Sequence, residues 1–194
     1  MPTTGVELDS ERLRLRALRP EDAASIATLV NDWEVVRYTT SIPYPYDLDM
    51  ARAFIASQTE RWAAWQPGGG PLAEEIAFAL ERRSDRAFIG CIGLQPGETR
   101  GLEFGYWIGR TYWNRGYATE AVATLARFAF ETLGVEEIWA AAVPVNDASH
   151  RVLEKNGFAI AGAGEREAEI RGHPLPVITR MLSRAQWLAV QSRA

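Results

Sequence analysis

Residues 102–118 read LEFGYWIGRTYWNRGYA, and this stretch decides the fold because it joins an apolar strand to a helix through a glycine-bearing turn. The pattern predicts a strand that ends at Ile108, then the turn, then a long helix. N–H groups at a helix start have no partner within the helix, and the helix dipole is positive there. Small residues at Gly116 and Ala118 let an anion approach these amides, and Arg115 adds a cation. We interpret the turn as a pyrophosphate site for a nucleotide-like ligand.

Composition limits the class of protein. The chain has 194 residues, 47% of them apolar, which predicts a single domain over residues 1–194 with a substantial core. The net charge of −4 argues against a nucleic-acid partner. Cys91 is the only cysteine, which excludes an intrachain disulfide and makes a thiolate metal cluster implausible. Without a signal-peptide pattern or an apolar run of membrane length, we expect a cytoplasmic protein with no membrane contact and no metal.

Hydrophobic periodicity divides the rest of the chain into strands and helices. Residues 12–18 alternate between apolar and arginine side chains, which predicts a half-buried strand with its arginines on the outer face. The predicted strands comprise residues 12–18, 76–80, 87–94, 102–108, 138–143, 158–161 and 177–182. Predicted helices follow Pro20, an Asp47 cap and Gly116, a shorter one covers residues 147–155, and residues 68–71 form a loop. A strand–long helix–strand unit requires a parallel crossover, so the fold class is a mixed α/β sheet.

Four segments in register resemble the GNAT acetyltransferase superfamily, and more narrowly its branch of ribosomal-protein N-terminal alanine and serine acetyltransferases. The segments are LRLR at 13–16 with PED at 20–22, GYWI at 105–108, WNRGYATEA at 113–121 and NDASHRVLEKNGF at 146–158. The resemblance implies a mostly antiparallel sheet of six to seven strands with flanking helices. Its fourth and fifth strands, a parallel pair, splay apart to hold acetyl-CoA as co-substrate. Pro144 cannot donate to a ladder, which also predicts lost pairing on the fifth strand.

The resemblance assigns the coenzyme to backbone groups of the fourth strand and to the turn. Asn146 is either an ordinary helix cap or, as in the family, a ligand of the pantetheine arm. Trp113 stands where the family often has glutamine or arginine, but binding is expected to survive because backbone amides supply most of the contact. The residues assigned to acetyl-CoA are Tyr106, Trp107, Ile108, Arg115, Gly116, Tyr117, Ala118, Thr119 and Asn146.

Two residues are candidate catalytic groups. Glu103 is either a solvated outward residue or a general base, which the reaction needs because an ammonium is not nucleophilic. Leu153 occupies the position of the tyrosine that many family members use as the acid for the departing thiolate. The ribosomal-protein branch suggests Ser149 for this role, although a serine there also satisfies local backbone. His150 and His173 are predicted to lie on the surface.

The acceptor is predicted to be a primary amine, with protein N-termini and small-molecule amines both open. Aromatic residues near the proline-rich residues 41–46 are the substrate candidates, namely Trp33, Tyr38 and Tyr46. The prediction is an N-acetyltransferase that acts by direct attack, and the alternative is a non-catalytic acyl-CoA-binding sensor on the same fold. A P-loop hydrolase is disfavoured because no G-x-x-x-x-G-K-[ST] stretch is present. A homodimer remains open.

Overall fold

The computed structural model describes residues 6–65, 72–97 and 101–191, so the loop predicted at residues 68–71 lies outside the described residues. Its centre is one sheet of eight strands in the order β1-β2-β3-β4-β5-β6-β8-β7. The strands are β1 (Leu8–Asp9), β2 (Leu13–Ala17), β3 (Ile76–Arg82), β4 (Ala87–Pro96), β5 (Leu102–Ile108), β6 (Glu137–Ala142), β7 (Ala159–Arg166) and β8 (Leu175–Ser183). The helices are α1 (Ala23–Val30), α2 (Trp33–Val36), α3 (Leu48–Ala64), α4 (Tyr117–Glu131), α5 (Asp147–Lys155) and α6 (Arg184–Gln191).

The mixed sheet with one parallel pair is confirmed, with one strand more than predicted. All neighbouring strands pair antiparallel except β5 and β6. The additional strand is β1, whose two residues are too few to show a period. The predicted fourth and fifth strands are therefore β5 and β6. The sequence reading also missed α2, which spans a single turn, and the C-terminal α6.

Different helices cover the two faces of the sheet. On one face, here called the α4 face, the buried side of α4 packs against Phe78 and Phe104. On the opposite face, the α3 face, helices α1 to α3 cover Ala77, Ala79 and Cys91. Side chains alternate along each strand, so neighbouring residues of β5 face different layers. A ligand that reaches both faces must therefore pass through an opening in the sheet.

Arg16 corrects the prediction that the arginines of β2 face solvent. It is 4% exposed, and its guanidinium bonds Asp22 at 2.8 Å and Glu81 at 2.7 Å. The segment around Asp22 folds over this part of the α3 face and buries the ion pairs. The alternation of apolar and polar residues along a strand shows that the strand has two different faces. It does not show which face a segment from elsewhere in the chain will cover.

The sheet opens between β5 and β6. These strands pair at only two positions, the second of which joins Glu103 to Trp139. Beyond that point β5 stays paired with β4 as far as Ile108, and β6 stays paired with β8 as far as Ala142. Two antiparallel ribbons thus diverge and leave a V-shaped gap. Pro144 lies past the end of β6, so it does not cause the separation, and that part of the prediction is wrong.

Candidate active site

Main-chain groups of β5 line one edge of the gap. The N–H of Gly109 donates to the carbonyl of Ile89 at 2.9 Å, which sets the phase of the antiparallel β4–β5 ladder. In such a ladder alternate residues bond to the neighbouring strand, and the residues between them direct their groups to the other side. The N–H groups of Tyr106 and Ile108 therefore point into the gap. Trp107 bonds to β4 instead, so only its side chain, on the α3 face, is available to a ligand.

The turn before α4 has the geometry of an anion site. Gly116 is the N-cap of α4 and adopts φ = +80°, a left-handed conformation that favours glycine. Within the described parts of the chain, the main-chain N–H groups of residues 115–119 make no hydrogen bond. Several unpaired amides and the positive end of a 15-residue helix therefore converge beside the gap.

Arg12 holds this turn in place, a role that the sequence reading did not anticipate. Its Nε donates to Glu120 at 2.7 Å and its Nη1 to the carbonyl of Arg115 at 2.9 Å. The Arg115 side chain itself is exposed. Trp113, the residue that departs from the family pattern, donates from Nε1 to the carbonyl of Ile108 at 2.6 Å and ties the turn to β5. The turn is thus fixed by two long side chains and leaves its amides free.

The first turn of α5 forms the other edge of the gap. Asn146 caps α5, because its Oδ1 accepts the N–H of Ser149 at 3.2 Å. The cap interpretation is confirmed, and the side chain also lines the cavity described below. Its amide nitrogen makes no hydrogen bond to any residue that the structure describes, and is thus available to a ligand.

A pair of hydroxyls bridges the gap. The Oη of Tyr106 on β5 and the Oγ of Ser149 on α5 are 3.0 Å apart. Burial raises the pKa of Tyr106 to about 12, so this phenol stays protonated and can donate to Ser149. The Ser149 hydroxyl is then free to donate its own proton elsewhere. Sequence reasoning assigned Tyr106 to backbone contacts and missed the pair, because its members lie 43 residues apart on two elements.

Glu103 lies at the apex of the V and is not a solvated surface residue. It is 7% exposed, and both carboxylate oxygens accept hydrogen bonds from Arg166 at the end of β7. One of these bonds is 2.8 Å long. A carboxylate has further lone pairs, so Glu103 can still accept a proton or a water. Nothing in the sequence pattern singled out Arg166.

A cavity of about 1100 Å³ runs through the gap and joins the turn, α5 and the α3 face. Tyr38 and Tyr46, two of the predicted substrate residues, line it on the α3 face. Burial raises the pKa of Tyr46 to about 12. Trp33 is a correction, because it lies outside the lining and is 45% exposed. Its ring packs on Tyr44, with centroids 5.5 Å apart, at the outer surface of α2.

Arg171 anchors the segment that covers the end of the cavity on the α3 face. Its guanidinium donates to the carbonyls of Val36, Thr39 and Ile42, the last at 2.9 Å. Burial lowers the pKa of Arg171. The arginine comes from the loop between β7 and β8, more than 100 residues from its partners. Such a contact leaves no local pattern in the sequence.

His150 also corrects the sequence reading. It is 8% exposed, and its Nε2 donates to the carbonyl of Val143 at 3.2 Å while its Nδ1 faces Arg180 Nε at 3.4 Å. The ring therefore fixes α5 against β6 and β8. His173 is exposed, as predicted. No group of three or more His, Cys, Asp or Glu residues within the described ranges can hold a metal ion. Among the described helices, none is both long and apolar enough to span a bilayer.

Comparison with known proteins identifies the class that this fold and site define. The family model "Acetyltransferase (GNAT) domain" matches residues 12–159. The chain belongs to the GNAT acetyltransferase family, which confirms the resemblance seen in the sequence. It is an acetyl-CoA-dependent N-acetyltransferase.

Individual relatives agree with this assignment. The chain is 31% identical over 160 residues to the uncharacterized N-acetyltransferase YoaA of Bacillus subtilis (strain 168), covering 80% of this chain and 84% of YoaA. Its fold is similar to that of Mycobacterium smegmatis RimJ in complex with CoA-disulfide, with a TM-score of 0.78, 19% identity, and coverage of 95% and 90%. It is also similar to spermidine N-acetyltransferase from Vibrio cholerae in complex with CoA and spermine, with a TM-score of 0.73, 21% identity, and coverage of 92% and 99%. At these identities the two solved structures bear on the fold alone.

Proposed function

We propose that this protein, acting as a single domain, transfers the acetyl group of acetyl-CoA to a primary amine by direct attack in a ternary complex. The amine belongs to a protein N-terminus or to a small molecule. One observation carries the proposal. A single cavity joins unpaired main-chain amides on the turn side to a pocket on the opposite face of the sheet. Two substrates can therefore enter from opposite faces and meet at the gap, which supplies much of the rate through proximity.

The coenzyme side of the cavity consists of the turn, β5 and the start of α5. The free amides of residues 115–119 bind the diphosphate, assisted by the helix dipole and by the charge of Arg115. The amide nitrogen of Asn146 donates to the pantetheine arm. The N–H groups of Tyr106 and Ile108 face the same channel, and that of Ile108 donates to the thioester oxygen as charge develops there.

Acetyl-CoA supplies the activated acetyl group, and side chains at the gap handle the protons. Glu103, held by Arg166, takes a proton from the incoming ammonium directly or through water. The free amine then forms the C–N bond while the C–S bond breaks, and the second proton leaving the nitrogen passes to the departing thiolate directly or through water. The Ser149 hydroxyl, which accepts a hydrogen bond from Tyr106, donates a hydrogen bond to the departing sulfur. A thiol of ordinary pKa, about 8.5, is a tolerable leaving group, so this assistance is modest.

The test combines turnover with binding. Thiol release from acetyl-CoA is measured across a panel of amines and N-terminal peptides, while calorimetry measures coenzyme binding to the same preparation. We expect binding and turnover with at least one acceptor class. Binding without turnover on any acceptor would instead favour the sensor, and absence of binding would reject both.

A second measurement tests Glu103. Glu103→Gln is expected to lower kcat most at low pH, where the acceptor is most protonated, with little change in the coenzyme Kd. Glu165→Gln is the matched control, because Glu165 precedes Arg166 on β7 and is exposed. A pH–rate profile identical to that of the unmodified enzyme would remove Glu103 from the mechanism.

A further inference from the structure

A strip without long side chains crosses the α3 face beside the gap. Ala77 on β3, Gly93 on β4 and Gly105 on β5 lie opposite one another in the strand register. A Cβ added at Gly105 would meet no atom within 4 Å, so the strip is open at the end that borders the gap. All three residues line the cavity. The sheet therefore offers an open floor at Gly105, whereas Glu75 lies over Gly93 and α3 covers Ala77.

Polar side chains border the strip on one side. Gln95 pairs with Glu103 in the register, and Glu75 precedes β3 in the same row. One Glu75 oxygen lies 3.1 Å from the position that a Cβ of Gly93 would occupy, and the other accepts from Arg61 at 3.3 Å. Burial raises the pKa of Glu75 although Arg61 lowers it. Arg61 thus offsets only part of the cost of burying the Glu75 charge, and a second cation nearby would stabilise the charged carboxylate.

Tyr46 borders the strip on the other side and provides an independent indication of a ligand. Its side chain is 8% exposed, packs with Cys91 on β4 and lines the cavity. Its hydroxyl makes no hydrogen bond with any residue in the described ranges. The oxygen opens to the cavity, where a water or a ligand can bond it.

We propose that this strip is a second acceptor subsite, which binds an unbranched aliphatic chain carrying a second ammonium group between Glu75 and Tyr46. The inference rests on the proposed acetyl transfer and narrows its acceptor to linear diamines and longer amines of that type. The floor accommodates methylene groups at Gly105, where a Cβ would meet no atom within 4 Å, and the Glu75 carboxylate lies beyond it over Gly93. Glu75 and the Tyr46 oxygen accept hydrogen bonds from the second ammonium, while the first ammonium lies at the gap near Glu103.

Strand spacing sets the length of the acceptor. Adjacent strands are about 4.8 Å apart. The Glu75 carboxylate lies over β4, and the gap lies at the far edge of the next strand, β5. The two nitrogens should therefore be separated by one to two strand spacings, roughly 5–10 Å. A branched or bulky chain would meet the floor, and a shorter diamine would not reach Glu75.

The experiment compares linear diamines of two to eight carbons with monoamines of the same chain length and with peptides that have a neutral first side chain. The readout is kcat/KM for thiol release. We expect an optimum at intermediate diamine length, with a preference over the matched monoamine of about ten- to hundredfold, typical of a hydrogen bond to a charged group. Equal rates for diamines and monoamines, or a preference for the neutral peptides, would overturn the subsite and leave the acetyl transfer intact.

Variants separate the subsite from general effects of charge. Glu75→Gln is expected to reduce the diamine-to-monoamine ratio to near one. Glu74→Gln should keep the ratio, because Glu74 also pairs with Arg61, at 2.9 Å, but is exposed. Tyr46→Phe provides a second test should Glu75→Gln fail to fold, and it should reduce the ratio by a smaller factor. An equal loss of the ratio in the Glu74 and Glu75 variants would count against the subsite. Failure of every amine to release thiol would instead reject the proposed function.

Discussion

The two sides of the cavity are built in different ways. The side that we assign to the coenzyme, which consists of β5, the turn and the start of α5, offers main-chain N–H groups whose direction follows from local conformation. The side that we assign to the acceptor is lined by side chains from α2, α3, β3 and β4 and is anchored by Arg171 from a distant loop. A backbone site tolerates changes in side chains provided that the conformation survives. A side-chain site can change its ligand without changing its fold.

The largest change in binding that this contrast predicts is the loss of coenzyme affinity in a Gly116 variant. Gly116→Ala places a side chain at φ = +80°, which strains the turn, and brings its Cβ to 3.3 Å from the Arg12 guanidinium, which must move aside. A left-handed non-glycine residue costs about 1–2 kcal/mol, and we expect the acetyl-CoA Kd to rise about tenfold by calorimetry. Gly134→Ala is the control, because Gly134 has φ = +69° but open space around it and lies at the other end of α4. We expect the Gly116 and Gly134 variants to lose similar amounts of stability, but only the Gly116 variant to bind acetyl-CoA more weakly. Equal acetyl-CoA Kd values for the two variants would contradict the assignment of the turn to the coenzyme.

Arg171 tests the acceptor side. Arg171→Ala removes the hydrogen bonds to three carbonyls and frees the segment that carries Tyr38. We expect the acceptor KM to rise about fivefold, equivalent to one ordinary hydrogen bond, because Arg171 acts on the acceptor only through this segment, while the coenzyme Kd stays unchanged. Steady-state kinetics with varied acceptor and separate calorimetry check this. Arg52→Ala, which removes an exposed arginine on α3, should change neither value.

A variant of Tyr106 tests the gap, where the coenzyme side and the acceptor side of the cavity meet. Tyr106→Phe removes the partner of Ser149, and we expect kcat to fall about threefold with the coenzyme Kd nearly unchanged. Because the pKa of Tyr106 is raised to about 12, the hydroxyl is protonated throughout the neutral range. The ratio of kcat for the unmodified enzyme to that of the variant should therefore be constant from pH 6 to pH 9. A ratio that changes within this range would mean that the hydroxyl titrates during turnover.

The smallest effect is expected at Arg12, which supports the turn from outside. Arg12→Ala should raise the acetyl-CoA Kd about twofold, because the amides remain but the turn loses bonds to Glu120 and to the Arg115 carbonyl. Arg14→Ala is the comparison, since Arg14 lies on the same strand and pairs with Asp9 at the surface. If the acetyl-CoA Kd rises by the same factor in the Arg12 and Arg14 variants, the cause is the loss of a positive charge and not the loss of support for the turn.

The coenzyme side was largely predictable from sequence. The strand Leu102–Ile108 and the helix Asp147–Lys155 have the predicted bounds, and the cap at Asn146 follows from residue type. Gly116 indicated a turn before an amphipathic helix. These features are local, because periodicity, caps and glycine conformations act over a few residues.

The acceptor side was mostly not predictable. Trp33 and Tyr46 both looked like pocket residues, yet one ring lies at the surface and the other lines the cavity. Arg16 and His150 looked solvent-exposed and are buried by segments that lie elsewhere in the sequence or on other strands. Burial of a polar side chain depends on which distant group meets it, and no local pattern encodes that encounter.

By itself, the sequence determined the class of fold, the family, and the turn whose amides face the gap, since these follow from short-range order along the chain. The tertiary structure alone decided that β5 and β6 part after Glu103, that Arg166 binds this carboxylate, and that Tyr106 meets Ser149 across the opening. It also placed Glu75 over the glycine floor. The physical reason is that each of these contacts joins residues far apart in the chain, and their geometry is fixed only when the two ribbons and their covering helices have packed.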